Sequence, residues 1–291
     1  MWHTPRFPGR ILFSPGDRSR NGLRRSSHRR RSAVFRLERL EERTVLSTLT
    51  VLNSLDSGAG SLRDTIAAAS PGDTIVFAKD VHRITLTSGE LDITQNLDIE
   101  GPGPNKLTVS GKDHSRVFDI SSGTTVTIAR LTITDGLANG NTLNSPSTGG
   151  GVLNQGTLNL DNDVLSNNQA VGAPGVSAGG FKGGALGGAI ETFGPLTVTG
   201  CEFINNQALG ASGSLGNVAG IGGGGAIHIF GTARPTVNIT DSMFAGNVAR
   251  GGNDCGFDPS TGDGRLTGLG DGGAILNGAT LIVINSTFSH N

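Results

Sequence analysis

The sequence predicts an all-β fold, a right-handed parallel β-helix (a solenoid) with an N-terminal capping helix and Gly-rich loop inserts. Three observations lead there. The second half carries a four-fold echo: GGVLNQGTLNLDNDVLSNNQA from Gly150, GGAIETFGPLTVTGCEFINNQA from Gly187, GGAIHIFGTARPTVNITDSMFAGNVA from Gly224 and GGAILNGATLIVINSTFSHN from Gly272. Within each copy the apolar residues alternate with a period of two, as in Leu158-Asn159-Leu160, Leu196-Thr197-Val198 and Val237-Asn238-Ile239, which is strand periodicity. The corners are Gly and Asn, and Gly makes up 47 of the 291 residues. Short like strands between tight corners can bury an apolar face only by stacking on the next copy.

The elements follow in chain order. Residues 1–47 hold 12 Arg against 4 acids, net +8, whereas residues 48–291 hold 11 basic and 20 acidic residues, net −9. The head therefore reads as a basic, disordered leader or export segment on an acidic folded domain. Arg24-Arg25 and Arg29-Arg30-Arg31 are the pattern of a nucleic-acid tail, but no interleaved aromatics accompany them, so nucleic acid is not expected as a partner. No apolar run in the head is long enough for a signal peptide or a membrane span, and no transmembrane segment is expected. Leu49 to Leu52 reads as a strand. Ser61 to Ala69 (SLRDTIAAA) reads as a helix with Ser61 as N-cap and Asp64 at N3, placed to cover the open end of the stack. Pro71-Gly72-Asp73 ends it.

In the first half, Ile75-Val76-Phe77, Leu97-Asp98-Ile99 and Phe118-Asp119-Ile120 recur at about one coil, with further strands at Arg83–Leu86, Leu107–Val109, Val126–Ile128 and Leu131–Ile133. In the repeats (150–291), the glycine pairs are Gly187-Gly188, Gly224-Gly225 and Gly272-Gly273. The first apolar position is Leu153, Ile190, Ile227 and Ile275, and the aromatic position is Leu165, Phe203, Phe244 and Phe288. The closing Asn is Asn168, Asn206, Asn247 and Asn291. Equivalent residues are expected to stack, Ile190 on Ile227 and Phe203 on Phe244, with the asparagines laddered at a bend. Residues 171–186, 209–223 and 250–271 are expected to leave the coil as exposed Gly-rich loops. Cys201 falls in a strand and Cys255 in an insert, and pairing and free thiols both stay open.

The repeated Gly-Gly-Ala-Ile with Phe-x-x-Asn resembles the repeats of chlamydial polymorphic outer-membrane proteins, surface adhesins with a β-helical passenger region. GAGSLRDTIAAASPGDTIVF (58–77) is similar to the opening segment of bacterial surface β-helix proteins. Leu40-Glu41-Glu42-Arg43-Thr44-Val45-Leu46-Ser47 is similar to a short N-terminal motif of exported planctomycete proteins, with Glu42 where that motif has Pro. These resemblances imply an extracellular or outer-membrane-associated protein with a structural or adhesive role, whose partner is a cell-surface or extracellular polysaccharide or protein. The chlamydial proteins continue into a membrane barrel. This sequence stops within a closing motif, so it reads as part of a longer protein whose open end can self-associate end to end.

The rival class is a polysaccharide-active enzyme, a pectate-lyase-like lyase or a glycoside hydrolase. It needs clustered carboxylates for Ca²⁺ and an Arg or Lys base on one exposed face. The metal candidates are Asp161 and Asp163, two apart on one strand face, and Asp254, Asp258 and Asp263 in the Gly-rich insert before Gly272. Asp135, Glu191, Glu202, Arg234 and Arg250 are further candidates. Against this stands a plainer reading, acids on the solvated face of a strand and a flexible acidic loop whose spacing fits no calcium motif. His82, His114 and His228 are scattered, GGGG at 222–225 lacks the Lys of a phosphate loop, and the core offers only Phe where sugar sites favour broad aromatic platforms. No catalytic residue and no cofactor beyond Ca²⁺ is therefore nominated. A groove holding three carboxylates with an Arg or Lys opposite is the feature that favours the rival.

Overall fold

The computed structural model describes residues 46–140, 146–173, 183–212, 219–230, 234–253 and 268–291. The basic head up to residue 45, Cys255 and the acidic candidates Asp254, Asp258 and Asp263 lie outside the described residues. The described chain is a right-handed parallel β-helix, and every strand pairing among the described residues is parallel.

Three sheets form the walls. Sheet 1 has eight strands, from Thr48–Val51 to Thr280–Ile284; sheet 2 has seven, from Arg83–Thr85 to Thr287–Ser289; sheet 3 has six, from Leu91–Ile93 to Ile275–Asn277. Inward residues of successive coils lie over one another: Ile75, Ile99, Ile128, Leu160, Val198 and Ile239 form one column of sheet 1 and all are buried. Phe203 and Phe244 are wholly buried, with ring centroids 4.6 Å apart and planes 3° from parallel, and Phe288 follows at 4.7 Å. The strand spacing of about 4.8 Å imposes this face-to-face stack, which free rings would offset.

The asparagine ladder forms as expected. The backbone N–H and the Nδ2 of Asn168 both donate to Asn206 Oδ1 (3.0 Å each), Asn206 repeats this toward Asn247, and Asn247 toward Asn291. Each Nδ2 also donates to a carbonyl of the preceding coil, such as Asn206 to Leu165 O at 2.9 Å. Asn168, Asn206 and Asn247 are fully buried, so the ladder satisfies polar groups that would otherwise be orphaned at the bend.

The helix, Leu62–Ala68, starts where Ser61 Oγ accepts the N–H of Asp64, and it buries Leu62 and Ile66 in the same core as the coils. Its last carbonyls, of Ile66 and Ala69, accept from Gln95 Nε2.

Three expectations need correction. Val152, not Leu153, is the inward residue aligned with Ile190, because the first copy begins one glycine earlier; Leu153 faces outward opposite Glu191. The Phe118–Ile120 strand belongs to sheet 3, and the strand that continues Leu97–Glu100 in sheet 1 is Thr125–Ala129. The Gly-rich inserts are not loops at their bases. Leu137–Asn139, Gln169–Val171, Gln207–Leu209 and Val248–Arg250 form a fourth ladder, and Ser147–Thr148, Ala185–Leu186, Gly222–Gly223 and Gly270–Asp271 a fifth. Together they make an arm inserted between sheets 2 and 3. At its outer part Ala211 N–H donates to Gly183 O, Gly220 to Ala211, Gly252 to Gly220 and Gly268 to Gly252, a zigzag from rail to rail. A Cβ on Gly220 would lie 1.8 Å from Gly183 O, and one on Gly252 1.8 Å from Ala211 O. Glycine is required there by proximity, since the two backbones touch.

Candidate functional site

Sheet 3 turns Leu91, Phe118, Val152, Ile190 and Ile227 inward and presents a second column outward: Asp92, Asp119, Leu153, Glu191, His228 and Leu276, in register on successive coils. The start of the arm and the Asp92 end of this column line an open cleft of about 630 Å³. Its floor and walls include Glu90, Asp92, His114, Ser115, Arg116 and Arg63.

Carboxylate oxygens of Glu90, Asp92 and Asp119 lie within 4.8 Å of one another. Glu90 precedes the Leu91–Ile93 strand, Asp92 is its outward residue, and Asp119 is the outward residue one coil on. Like charges this close need a counter-charge, and Arg116 supplies it. Its guanidinium pairs with Glu90, lies 3.7 Å from Asp119, and donates to Gly149 O (2.8 Å) and Thr148 O (2.9 Å). Arg63, on the helix, is bound to Asp56 (3.0 Å) and to the carbonyls of Gly89 and Glu90 (2.6 Å each). Burial raises the Asp119 carboxyl above the usual carboxylate range; Arg116 opposes the shift, and Glu90 and Asp92 add to it. Ser115 Oγ is buried against this cleft and has no hydrogen-bond partner among the described residues.

Further along the column Glu191 and His228 form a buried pair, with His228 Nδ1 2.8 Å from Glu191 Oε2. Burial raises the Glu191 carboxyl, against the pull of His228 and Arg116. Beside them Phe193 and Phe230 are 38% and 44% exposed, their rings edge to face at 5.6 Å.

The residues nominated from sequence lie elsewhere. Asp161 is exposed and accepts from Asn162 Nδ2, whereas Asp163 is buried at the next corner. Both Asp163 oxygens accept backbone N–H groups, of Leu131 at 2.9 Å and of Asp161 at 3.2 Å. The two are not a pair on one face, because the corner at Asn162 (φ 55°) lies between them. Asp163 heads a column in which Cys201 Sγ, Ser242 Oγ and Ser286 Oγ accept the N–H of the corner one coil back. Burial pushes the Cys201 thiol up to about 12. Asp135 is tied to Arg83 and Ser110, while Glu202, Arg234 and Arg250 are exposed away from the cleft. Of the scattered histidines, only His114 lines it.

Glu90, Asp92, Asp119, Arg116 and Arg63 were not nominated from sequence. A signal existed, Glu90-Leu91-Asp92 and Arg116 to Asp119 as charged residues alternating with buried apolar ones, but their convergence depends on a register that the sequence does not print.

No helix among the described residues is long and apolar enough to cross a membrane, a statement that does not bear on barrels. No family model matches the chain, and no curated protein matches it. Among solved structures the chain is similar to a PL6-family alginate lyase, AlyGC, in a mutant form, with 13% identity and a TM-score of 0.43 over 87% of this chain and 30% of that one. The chain thus spans less than a third of that structure's length, and the likeness is one of fold alone.

Proposed function

We propose that the protein is an exported, surface-associated β-helix module that binds an acidic polysaccharide through a divalent cation held in the sheet 3 cleft. The observation that carries this is the convergence of Glu90, Asp92 and Asp119 beside Arg116, with Glu90, Asp92 and Arg116 lining a cleft of about 630 Å³. Three carboxylates are the hard oxygen donors that Ca²⁺ prefers, and its six to eight positions leave room for a sugar carboxylate and water. The folded domain carries a net charge of −9, so a polyanion needs such a bridge to approach it. The surface location and the adhesive role rest on the repeat and leader resemblances.

A lyase is the second reading, favoured by the arginine opposite the carboxylates. It requires a side chain that can take a proton from the sugar ring. Arg116 and Arg63 are each committed to carbonyls and carboxylates, which leaves His114 on the cleft wall as the group for that task. The two readings part on whether the bound polysaccharide is cleaved.

Calorimetry with oligouronates tests this. Binding should appear with Ca²⁺, vanish with chelator, and weaken at least about tenfold in Asp92→Asn, an exposed position whose loss leaves the core intact. It should also weaken in mild acid at a higher pH than an ordinary carboxylate would dictate, because the Asp119 carboxyl is raised. Ultraviolet absorbance of an unsaturated product would establish the lyase instead. No binding with or without Ca²⁺ would overturn both.

A further inference from the structure

The outer face of sheet 3 carries a second depression, of about 550 Å³, lined by Ser122, Thr148, Leu153, Gln155 and Phe193. Thr148 lines both this depression and the acidic cleft, so the two adjoin at that residue. Leu153 is the outward neighbour of Asp119 one coil on, a step of about 4.8 Å along the stack. Phe193 stands one coil further still.

The phenylalanine is not there to close the coil. Asn154 and Thr192 are register partners, as are Thr192 and Ile229, so Gln155, Phe193 and Phe230 occupy the same corner on successive coils. Each is fixed by its backbone: Gln155 N–H donates to Ile120 O, Phe193 to Asn154 O and Phe230 to Thr192 O. Ser121 and Gln155 fill this corner in the preceding coils, so its geometry accepts polar residues. At Phe193 the corner instead exposes an aromatic ring, whose edge-to-face partner Phe230 holds it in place.

We infer that Phe193, Leu153, Gln155 and Thr148 form an uncharged subsite that stacks a pyranose ring of the same polysaccharide whose neighbouring unit is held over the acidic cleft. The inference rests on the function proposed above and adds direction and length to it. A pyranose has an apolar C–H face and a rim of hydroxyls. The Phe193 ring and Leu153 meet the first; the Gln155 amide and the Thr148 and Ser122 hydroxyls meet the second. The chain would then run along the stack axis, from Asp92 and Asp119 toward Phe193, and ligands too short to reach Phe193 would use only the cation site.

The test is calorimetry on the full chain with Ca²⁺ and oligouronates of increasing length, comparing wild type, Phe193→Ala, Phe193→Trp and Asp92→Asn, each checked for an unchanged melting curve. Phe193→Ala should weaken the long oligomers by about fivefold and leave the shortest binding one untouched. Phe193→Trp should preserve the gain with length, and Asp92→Asn should weaken every length. Equal affinity of wild type and Phe193→Ala at all lengths, with Asp92→Asn still weak, overturns the subsite and leaves the cation site standing. Loss of the same size at every length, the shortest included, also overturns it. Absence of binding by the wild type overturns both.

Discussion

At the scale of single residues, Asp163 shows how one position exchanges chemistry for structure. Its corner must satisfy the N–H of Leu131 one coil back, and in later coils a thiol or hydroxyl does this with a single acceptor. Asp163 uses two oxygens and accepts the N–H of Asp161 as well. Replacing it with Ala orphans a buried donor and is expected to cost about 1–3 kcal/mol in chemical denaturation. Burial holds the Asp163 carboxyl well above its ordinary value, so the folded state retains the proton to higher pH than the unfolded chain. This contribution therefore favours folding most below the unfolded value of about 3.9, and weakens as pH rises toward the folded one. Asp163→Asn should remove that part of the pH slope; an unaltered slope would show that the carboxyl titrates as it does in the unfolded chain. From sequence, Asp161 and Asp163 looked equivalent because strands alternate. The corner at Asn162 breaks the alternation, and a left-handed asparagine carries no mark that separates it from one within a strand.

At the scale of elements, the wall strands were legible and the arm was not. Columns such as Phe203 on Phe244 follow from apolar period and repeat length, which are local properties. The arm ladders escape that logic. Gly222-Gly223 is a strand although nothing in its side chains favours one, because its partners Ala185-Leu186 and Gly270-Asp271 supply the pairing. Glycine there signals contact between backbones, and a composition reading assigns the same residue to loops. Gly220→Ala isolates this effect. Its Cβ would meet Gly183 O at 1.8 Å, so one rail must move. The overpacking should cost about 1–3 kcal/mol. Hydrogen exchange should speed at the amides of Ala211 and Gly252 and stay slow in the walls; protection retained at both would show that the rails are not in contact. The cleft was hidden for a related reason. Glu90, Asp92 and Asp119 meet only once sheet 3 is in register, and the arm that lines the cleft with Glu90 and Asp92 is the element the sequence disguised.

At the scale of the whole molecule, the stack is a one-dimensional crystal with unlike ends. The helix side buries Leu62 and Ile66 against the first coils. The last coil instead leaves Ile282, Val283, Ile284 and Phe288 between 40% and 51% exposed, beside strands with one free edge. Such a surface templates further strands. The rail-to-rail zigzag has a consequence of another kind. Because Gly252 and Gly268 are joined to each other and to the coil before, the circuit of that coil is completed at its base. A variant lengthened between the two is therefore expected to keep the wild-type melting curve, and a clear drop in melting temperature would show that the base does not close the circuit. The scaffold thus separates loop length from mechanical integrity, and two successive coils, joined at Ala211–Gly220 and at Gly252–Gly268, share the same closure.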